Sequence, residues 1–214
     1  MNADSALLCT ITQVASIDSS DQNSSLCKSG DVTDGLWLII GVQAAGKSTV
    51  ADLLAREFER GVHVRGGQFY RWAVSGWVHP TSVLSDEARR LLDLRYRLSA
   101  QAAHEYCLAG FSTVVQDNIF GEDVQTWLRD ANVQPSHLVV LRPSVSAVKQ
   151  RDEARQAALG KVAYRPGEMS ISQLDELLVT TPRLGLWLDS SDQTPRETVD
   201  EILARRDEAL LGAV

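Results

Sequence analysis

Eight consecutive residues, from Gly41 to Ser48, have the types and the spacing that phosphate binding requires. They read Gly-Val-Gln-Ala-Ala-Gly-Lys-Ser. Two glycines let the backbone curve so that successive N–H groups point at a phosphate, and the helix that follows adds its positive end. The Lys47 ammonium then reaches the β- and γ-phosphates, and the Ser48 hydroxyl ligates Mg²⁺. The pattern predicts a site for a nucleoside triphosphate with Mg²⁺.

The loop does not name a reaction, because kinases, GTPases and motor ATPases share it. A GTPase would carry an Asn-Lys-x-Asp segment after a later strand, and the sequence has none. The nucleotide is therefore expected to be ATP.

A small kinase needs a mobile basic segment that covers the transferring phosphate and excludes water. Residues 142–165 fit this requirement, with six basic and two acidic residues in an acidic chain. Arg151 and Arg155 are four residues apart on a predicted helix, so both guanidinium groups can reach one phosphate chain. The alternative is a solvated helix on which both arginines pair with nearby acids.

Asp117 is the best carboxylate candidate in the chain. It follows the predicted strand Ser112–Gln116, where a carboxylate orients the Mg²⁺ shell or accepts a proton from the attacking hydroxyl. The alternative is that Asp117 caps the turn before a helix near residues 122–130.

An aromatic segment follows the second predicted strand. Four of the thirteen aromatic residues fall between positions 66 and 77. Gln68, Phe69, Trp72 and Trp77 are the candidates for binding an acceptor by stacking and burial of apolar area. The alternative, of equal weight, is that these rings fill the core between this helix and the next.

Short apolar strands alternate with amphipathic helices from Leu36 onward. The predicted strands are Leu36–Ile40, Val62–Arg65, Ser112–Gln116, His137–Leu141 and Leu184–Leu188. The predicted helices are Lys47–Phe58, Gln68–Ser75, Ser85–Ala109, 122–130, Ser144–Ala158 and Thr194–Leu211. This alternation predicts right-handed crossovers and a mostly parallel sheet covered on both faces, with ligands at the carboxyl ends of the strands.

Charge and composition divide the chain unevenly. The net charge is −7, and residues 1–34 hold five Asp, one Lys and seven Ser. This acidic segment is predicted to be a flexible tail, and residues 35–214 to be one domain with a lid at about 142–168. The acidic balance argues against nucleic acid or an anionic membrane as a partner.

Targeting and redox signals are absent from the sequence. No apolar run approaches the roughly 20 residues of a membrane span, and the start lacks the features of a signal peptide. Three cysteines without ligand spacing are expected to be reduced thiols. The expected location is the cytoplasm, and the sequence does not indicate an oligomeric state.

Several segments together resemble the bacterial small P-loop kinase-like ATPases and phosphotransferases. They are GVQAAGKSTV, GVHVRGGQFYRW, LRYRLSA, VVQDN, LVVLRPSVSAVKQRDEAR and GLWLDSSDQTPRETVDEIL. The layout is similar to chloramphenicol phosphotransferase and, more distantly, to zeta toxin and the shikimate and gluconate kinases. The resemblance covers about residues 35–211.

The resemblance implies a three-layer α/β P-loop NTPase fold, with about five parallel strands, helices on both faces and a helical lid. It implies ATP and Mg²⁺ as cofactors and Arg151 and Arg155 as lid arginines. Residues 190–193, with Ser191 and Gln193, would lie near the adenine. The residues that would hold the phosphates and Mg²⁺ are Gly41, Ala44, Ala45, Gly46, Lys47, Ser48 and Thr49.

One departure from the family concerns the catalytic base. Many relatives carry an Asp just after the second strand, in a pattern like V-x-G-D-x-F, and this sequence has Gly67 there. The base role therefore moves to Asp117 or to no residue at all.

The leading hypothesis is an ATP- and Mg²⁺-dependent phosphotransferase that acts on a hydroxyl of a small molecule, such as an antibiotic or another secondary metabolite. A nucleotide-binding regulatory ATPase without an acceptor is the main alternative. A toxin-like kinase of nucleotide sugars and a nucleic-acid end kinase are further alternatives, and the acidic surface disfavours the last.

Overall fold

The structure is a computed structural model, and it describes residues 34–78, 80–81, 83–160, 164 and 169–212. The predictions for residues 1–33, Lys161 and Arg165 lie outside the described residues. The tail and the complete lid therefore stay predictions. Within the described part of the chain, no helix has both the length and the apolar character that crossing a membrane requires.

Strands and helices alternate along the described chain. The strands are β1 (Leu36–Gly41), β2 (Gly61–Arg65), β3 (Ser112–Asp117), β4 (Ser136–Leu141) and β5 (Leu186–Leu188). The helices are α1 (Lys47–Ala55), α2 (Gly67–Arg71), α3 (Asp86–Leu108), α4 (Asp123–Ala131), α5 (Val145–Leu159), α6 (Ile171–Val179), α7 (Pro195–Ala204) and α8 (Arg206–Ala209).

The five strands form one parallel sheet in the order β2-β3-β1-β4-β5. The register pairs Ile40 with Asp117, and Arg65 with Gln116. The carboxyl ends of β2, β3 and β1 are therefore neighbours at one edge of the sheet. This edge brings together the loop after β1, the Asp117 carboxylate and the start of α2.

The sheet is buried by helices on both of its faces. Every residue of β1, β3 and β4 is buried, and for β1 the continuous apolar run predicts this burial. Helix α1 packs with α7, and α3 packs with α4. The predicted α/β fold with a covered parallel sheet is confirmed.

The helices differ from the predictions in several details, and α1 ends at Ala55 rather than at Phe58. Helix α6 is not predicted, although Ser170 and Gln173 form a capping box at its start and Leu174 and Leu178 give it a buried face. The last predicted helix is divided in two at Arg205, which leaves helical geometry. Helix α2 ends at Arg71 rather than at position 75, because the chain leaves the helix before Gly76, which has a positive φ of 76°.

Candidate functional site

The loop between β1 and α1 has the curved backbone that its glycines predict. Gly46 has a φ of 98°, in the region that favours glycine, and Ala44 also has a positive φ of 61°. The Ala45 N–H donates to the Val42 carbonyl at 3.3 Å, which closes a turn. The loop thus leads directly into the first turn of α1, where Gly46 provides no side-chain cap.

Lys47 lies inside this loop. Its Nζ donates to the Val42 carbonyl at 2.6 Å, and its side chain is buried. Burial lowers the pKa of Lys47 to about 7, while the charge of Asp117 raises this pKa and the charges of Arg95 and Arg155 lower it. A polyphosphate in the loop would supply the negative charge that favours the ammonium form.

Ser48 and Thr49 begin α1 and are exposed. Their hydroxyl groups lie in the first turn of the helix, where the Thr49 N–H donates to the Gly46 carbonyl at 3.1 Å. This arrangement can bind a phosphate through the helix N-terminus and present a hydroxyl ligand to a cation.

Asp117 forms a buried ion pair with Arg95. The distance from its Oδ1 to Arg95 Nη2 is 3.0 Å, and the two side chains expose only 4% and 7% of their surface. The same Oδ1 accepts the Asn118 N–H at 2.7 Å. Helix α4 begins after Glu122, whose side chain makes no capping hydrogen bond. Asp117 thus accepts a backbone hydrogen bond in the turn before α4, as the alternative interpretation predicts, and it also pairs with Arg95.

The second carboxylate oxygen of Asp117 is buried and has no hydrogen-bond partner within the described residues. It lies against Gly66, where a Cβ atom would be only 2.0 Å from it. A carboxylate oxygen without a partner and an exposed Ser48 hydroxyl, both at this edge of the sheet, are of the oxygen type that Mg²⁺ binds. No group of three or more His, Cys, Asp or Glu side chains forms a metal cage in the described part of the chain. Mg²⁺ would thus depend on Ser48, phosphate oxygens and water, with Asp117 nearby.

Arg95 is a site residue that the sequence reasoning misses. Its Nη2 donates to the Asn118 carbonyl at 3.2 Å, and its guanidinium lies 4.3 Å from the Tyr70 ring centroid and 4.9 Å from that of Tyr96. Burial opposes its charge, but Asp117 and the two tyrosines raise the pKa of Arg95 overall.

A periodic signal in α3 could have identified Arg95. The buried positions Ala88, Arg95, Ser99 and Ala103 follow one face of the helix at spacings of seven, four and four residues. An arginine on the buried face of a helix requires a buried counter-charge.

The lid arginines have different partners. Arg151 Nη1 donates to the Ala45 carbonyl at 3.1 Å, and its Nη2 donates to the Ser190 carbonyl at 2.5 Å. Arg155 pairs with Asp152 at 2.5 Å, as the alternative interpretation predicts for this residue. Arg151 therefore links the phosphate loop to the loop after β5, whereas Arg155 stays on its own helix.

A second lid residue contacts the phosphate loop. The Tyr164 hydroxyl donates to the Gln43 carbonyl at 2.7 Å. The sequence reasoning misses this contact, because a tyrosine in a basic segment carries no pattern that points to the loop.

Ser191 and Gln193, which the family resemblance predicts to lie near the adenine, make side-chain hydrogen bonds to other protein groups. Ser191 Oγ donates to Asp189 and accepts the Ser144 N–H at 2.8 Å. The Gln193 amide donates to Glu201 at 2.5 Å and accepts from Thr198 at 3.0 Å. These hydrogen bonds hold the loop after β5.

The four residues predicted to bind the acceptor differ in burial and in packing partners. Phe69 packs against the core and makes an edge contact with Trp72 at 4.9 Å between ring centroids. Trp72 is 66% exposed. Trp77 instead packs on Tyr70, with ring centroids 3.8 Å apart. Gln68 is half-buried.

A phosphate loop after the central strand of a parallel sheet, with a buried lysine inside it, defines a P-loop nucleotide-binding fold. The AAA_33 family model, described as an AAA domain, matches residues 36–178, and the chain belongs to this family. No curated protein matches the chain.

Solved structures with the same fold are small P-loop kinases. A sugar kinase from Janibacter sp. HTCC2649 is 20% identical, with a TM-score of 0.55 over 81% of this chain and 95% of that one. A gluconokinase from Sinorhizobium meliloti 1021 is 19% identical, with a TM-score of 0.51 over 79% and 90%. A Deinococcus radiodurans tunicamycin resistance protein is 15% identical, with a TM-score of 0.52 over 83% and 98%. These likenesses confirm the predicted P-loop fold.

The low pKa of Lys47 predicts proton uptake when ATP binds. At about pH 8.5 the free protein holds Lys47 mostly neutral, and bound phosphates restore the ammonium form. Calorimetry in two buffers with different ionisation enthalpies should give nearly one proton taken up per ATP, and less as the pH falls through 7. The Lys47→Gln variant is the control and should take up none. Equal uptake by both proteins would contradict the assignment.

The buried ion pair predicts a large stability loss for Asp117→Asn. The change leaves the Arg95 charge without its partner, so the free energy of unfolding should fall by about 3–5 kcal/mol in urea titrations. Asp123→Asn breaks the more exposed pair with Arg89 and should lose at most about 1 kcal/mol. Adding Arg95→Met to Asp117→Asn should recover part of the loss. Losses of equal size at Asp117 and Asp123 would show that the Arg95 pair is not buried.

Adjacent glycines provide a matched steric test. Gly66→Ala places a Cβ 2.0 Å from Asp117 Oδ2, whereas Gly67→Ala meets nothing within 4 Å. We expect Gly66→Ala to lower the free energy of unfolding by about 1–3 kcal/mol. Gly67→Ala should be neutral or stabilising by up to about 1 kcal/mol, because alanine favours a helix. The reverse order in thermal unfolding would contradict the packing of Asp117 on Gly66.

Proposed function

We propose that this protein transfers the γ-phosphoryl group of ATP to a hydroxyl group of a small molecule, with Mg²⁺ as cofactor. The observation that carries the proposal is the buried Lys47 in the phosphate loop, beside the buried pair of Asp117 and Arg95. The three groups carry a net positive charge when Lys47 is protonated, which favours a polyanion at this edge of the sheet.

The phosphate loop supplies most of the catalysis expected for this reaction. Phosphoryl transfer through a loose transition state depends mainly on positioning and charge stabilisation. Lys47 would bind the β- and γ-phosphates, and Gly41, Ala44, Ala45, Gly46 and Thr49 would surround them with backbone N–H groups. Mg²⁺, held by Ser48 and oriented by Asp117, would neutralise charge that develops on the phosphate oxygens.

The lid supports a kinase over a simple nucleotide-binding protein. Arg151 already spans the phosphate loop and the loop after β5. It lies where the α-phosphate and ribose of a bound nucleotide would pass, between the phosphate loop and Ser191. Arg155 is positioned on the same helix and would exchange Asp152 for the γ-phosphate on closure. Such closure would exclude water and limit hydrolysis.

The acceptor is proposed to bind beyond the carboxyl end of β2. The helix α2 and the residues after it supply Gln68, Phe69, Trp72 and Trp77, and exposed apolar side chains continue at Val74 and Val83. An apolar acceptor with a hydroxyl group suits this surface, and antibiotics and other secondary metabolites belong to that class.

A regulatory ATPase is the second candidate, and one observation favours it. The Asp117 carboxylate is paired with Arg95 rather than free to accept a proton. A protein of this kind would hydrolyse ATP slowly and would need no acceptor.

An acceptor panel separates the two candidates. The protein is incubated with [γ-³²P]ATP, Mg²⁺ and hydroxylated metabolites, and phosphorylated products and ADP are measured. A kinase should release ADP in proportion to product and only with an accepted compound. Lys47→Ala should abolish transfer and weaken the binding of ATP far more than that of adenosine. ADP release that no acceptor changes, or equal loss of affinity for both ligands, would count against the kinase.

A further inference from the structure

A hydroxyl acceptor must lose its proton during phosphoryl transfer. A positioned general base contributes about 10²–10⁴-fold to such a step. The identity of the group that takes the proton therefore restricts the class of acceptor that the site can use.

The charge of Asp117 raises the pKa of Lys47, so this carboxylate is the first candidate for the base. Its geometry does not suit that role. It is 4% exposed, with one oxygen held by Arg95 at 3.0 Å and by the Asn118 N–H at 2.7 Å. Its other oxygen, Oδ2, is buried against Gly66. A proton on this carboxylate would leave the buried Arg95 guanidinium without its counter-charge, which is costly.

The position next to Gly66 is open but carries no side chain. Gly67 is exposed, and a Cβ placed on it would meet nothing within 4 Å. It begins α2 at the same edge of the sheet as Lys47 and Asp117. Gly67 therefore borders open space but has no side chain that could act as a base.

The rings of Tyr70 and Trp77 form an aromatic wall on the same side of α2 as Gly67. Tyr70 follows Gly67 by three residues, which is about one helical turn and places both on one face. The Tyr70 ring covers the Arg95 guanidinium and packs on Trp77. The Trp77 indole N–H is buried without a hydrogen-bond partner within the described residues. Phe69 and Trp72, at offsets of about 200° and 140° from Gly67, lie on the other side of the helix.

We propose that the acceptor is a phenol, an aromatic ring whose hydroxyl group is acidic enough to ionise without a protein base. The inference rests on the proposed kinase function. The ring packs on the wall of Tyr70 and Trp77 beside Gly67, and ring stacking supplies the affinity. A phenol, with a pKa near 10, ionises far more readily than an aliphatic alcohol.

The proposed step balances without a base residue. The phenol releases its proton to water, and the phenolate oxygen forms a bond to the γ-phosphorus. The bond between that phosphorus and the β,γ-bridging oxygen breaks, and ADP leaves with the electron pair. The products are an aryl phosphate, ADP and one proton.

Three ring-matched acceptors test the proposal. The full-length protein receives ATP, Mg²⁺ and 4-cyanophenol, 4-cyanobenzyl alcohol or 4-cyanobenzoate, and ³¹P NMR follows the products at about pH 7.5. The expected result is transfer to the phenol at least about tenfold faster than to the alcohol. Gly67→Asp places a carboxylate in the open position and should raise transfer to the alcohol at least about tenfold. Gly67→Asn, of the same size but not basic, should not.

The outcomes separate the inference from the function. Transfer to the alcohol as fast as to the phenol, or a preference for the benzoate, would overturn the phenol assignment and leave the kinase function intact. No gain for Gly67→Asp over Gly67→Asn would refute the role of the open position. No product from the phenol, while a metabolite of the acceptor panel is phosphorylated, would overturn the phenol assignment alone. No product from the phenol or from any compound of the panel, with ATP still bound, would overturn both proposals.

Discussion

Two cations and one anion share a buried space at the carboxyl edge of the sheet, and this constraint organises the site. Lys47, Arg95 and Asp117 are each less than a tenth exposed. Charges removed from water are tolerated only when they are paired or neutralised. Asp117 pairs with Arg95, and burial lowers the pKa of Lys47 to about 7, although the charge of Asp117 raises this pKa. A bound polyphosphate would neutralise the remaining positive charge, so this arrangement favours an anionic ligand.

The same constraint explains the shape of the backbone around the site. Asp117 needs a neighbour without a side chain, because its carboxylate lies where a Cβ of Gly66 would be. The parallel register of β2, β3 and β1 brings these residues to one edge. The Tyr70 ring lies 4.3 Å from the Arg95 guanidinium and covers one side of it. Packing, register and charge therefore depend on one another, and the lid arginine Arg151 joins this arrangement through the Ala45 carbonyl.

The phosphate loop and the strand alternation are predictable because their signals are local. Gly41 to Ser48 are eight consecutive residues, and β1 is a continuous apolar run. The period of buried positions in α3 could have placed Arg95 on the buried face, but its pairing with Asp117, 22 residues away, depends on how α3 packs on β3. The contact of Tyr164 with Gln43 spans 121 residues. The division of Phe69 and Trp72 from Trp77 follows from where α2 ends, which residue types alone do not determine.

The central claim is that the buried charges at this edge bind a triphosphate, and a crystal structure with Mg²⁺ and a non-hydrolysable ATP analogue tests it most directly. We predict that the β- and γ-phosphates lie in the loop, that Lys47 Nζ exchanges the Val42 carbonyl for phosphate oxygens, and that Arg95 keeps its pair with Asp117. A triphosphate bound elsewhere, such as in the groove lined by Arg142, Asp175 and Trp187, with Lys47 still on Val42, would contradict the account.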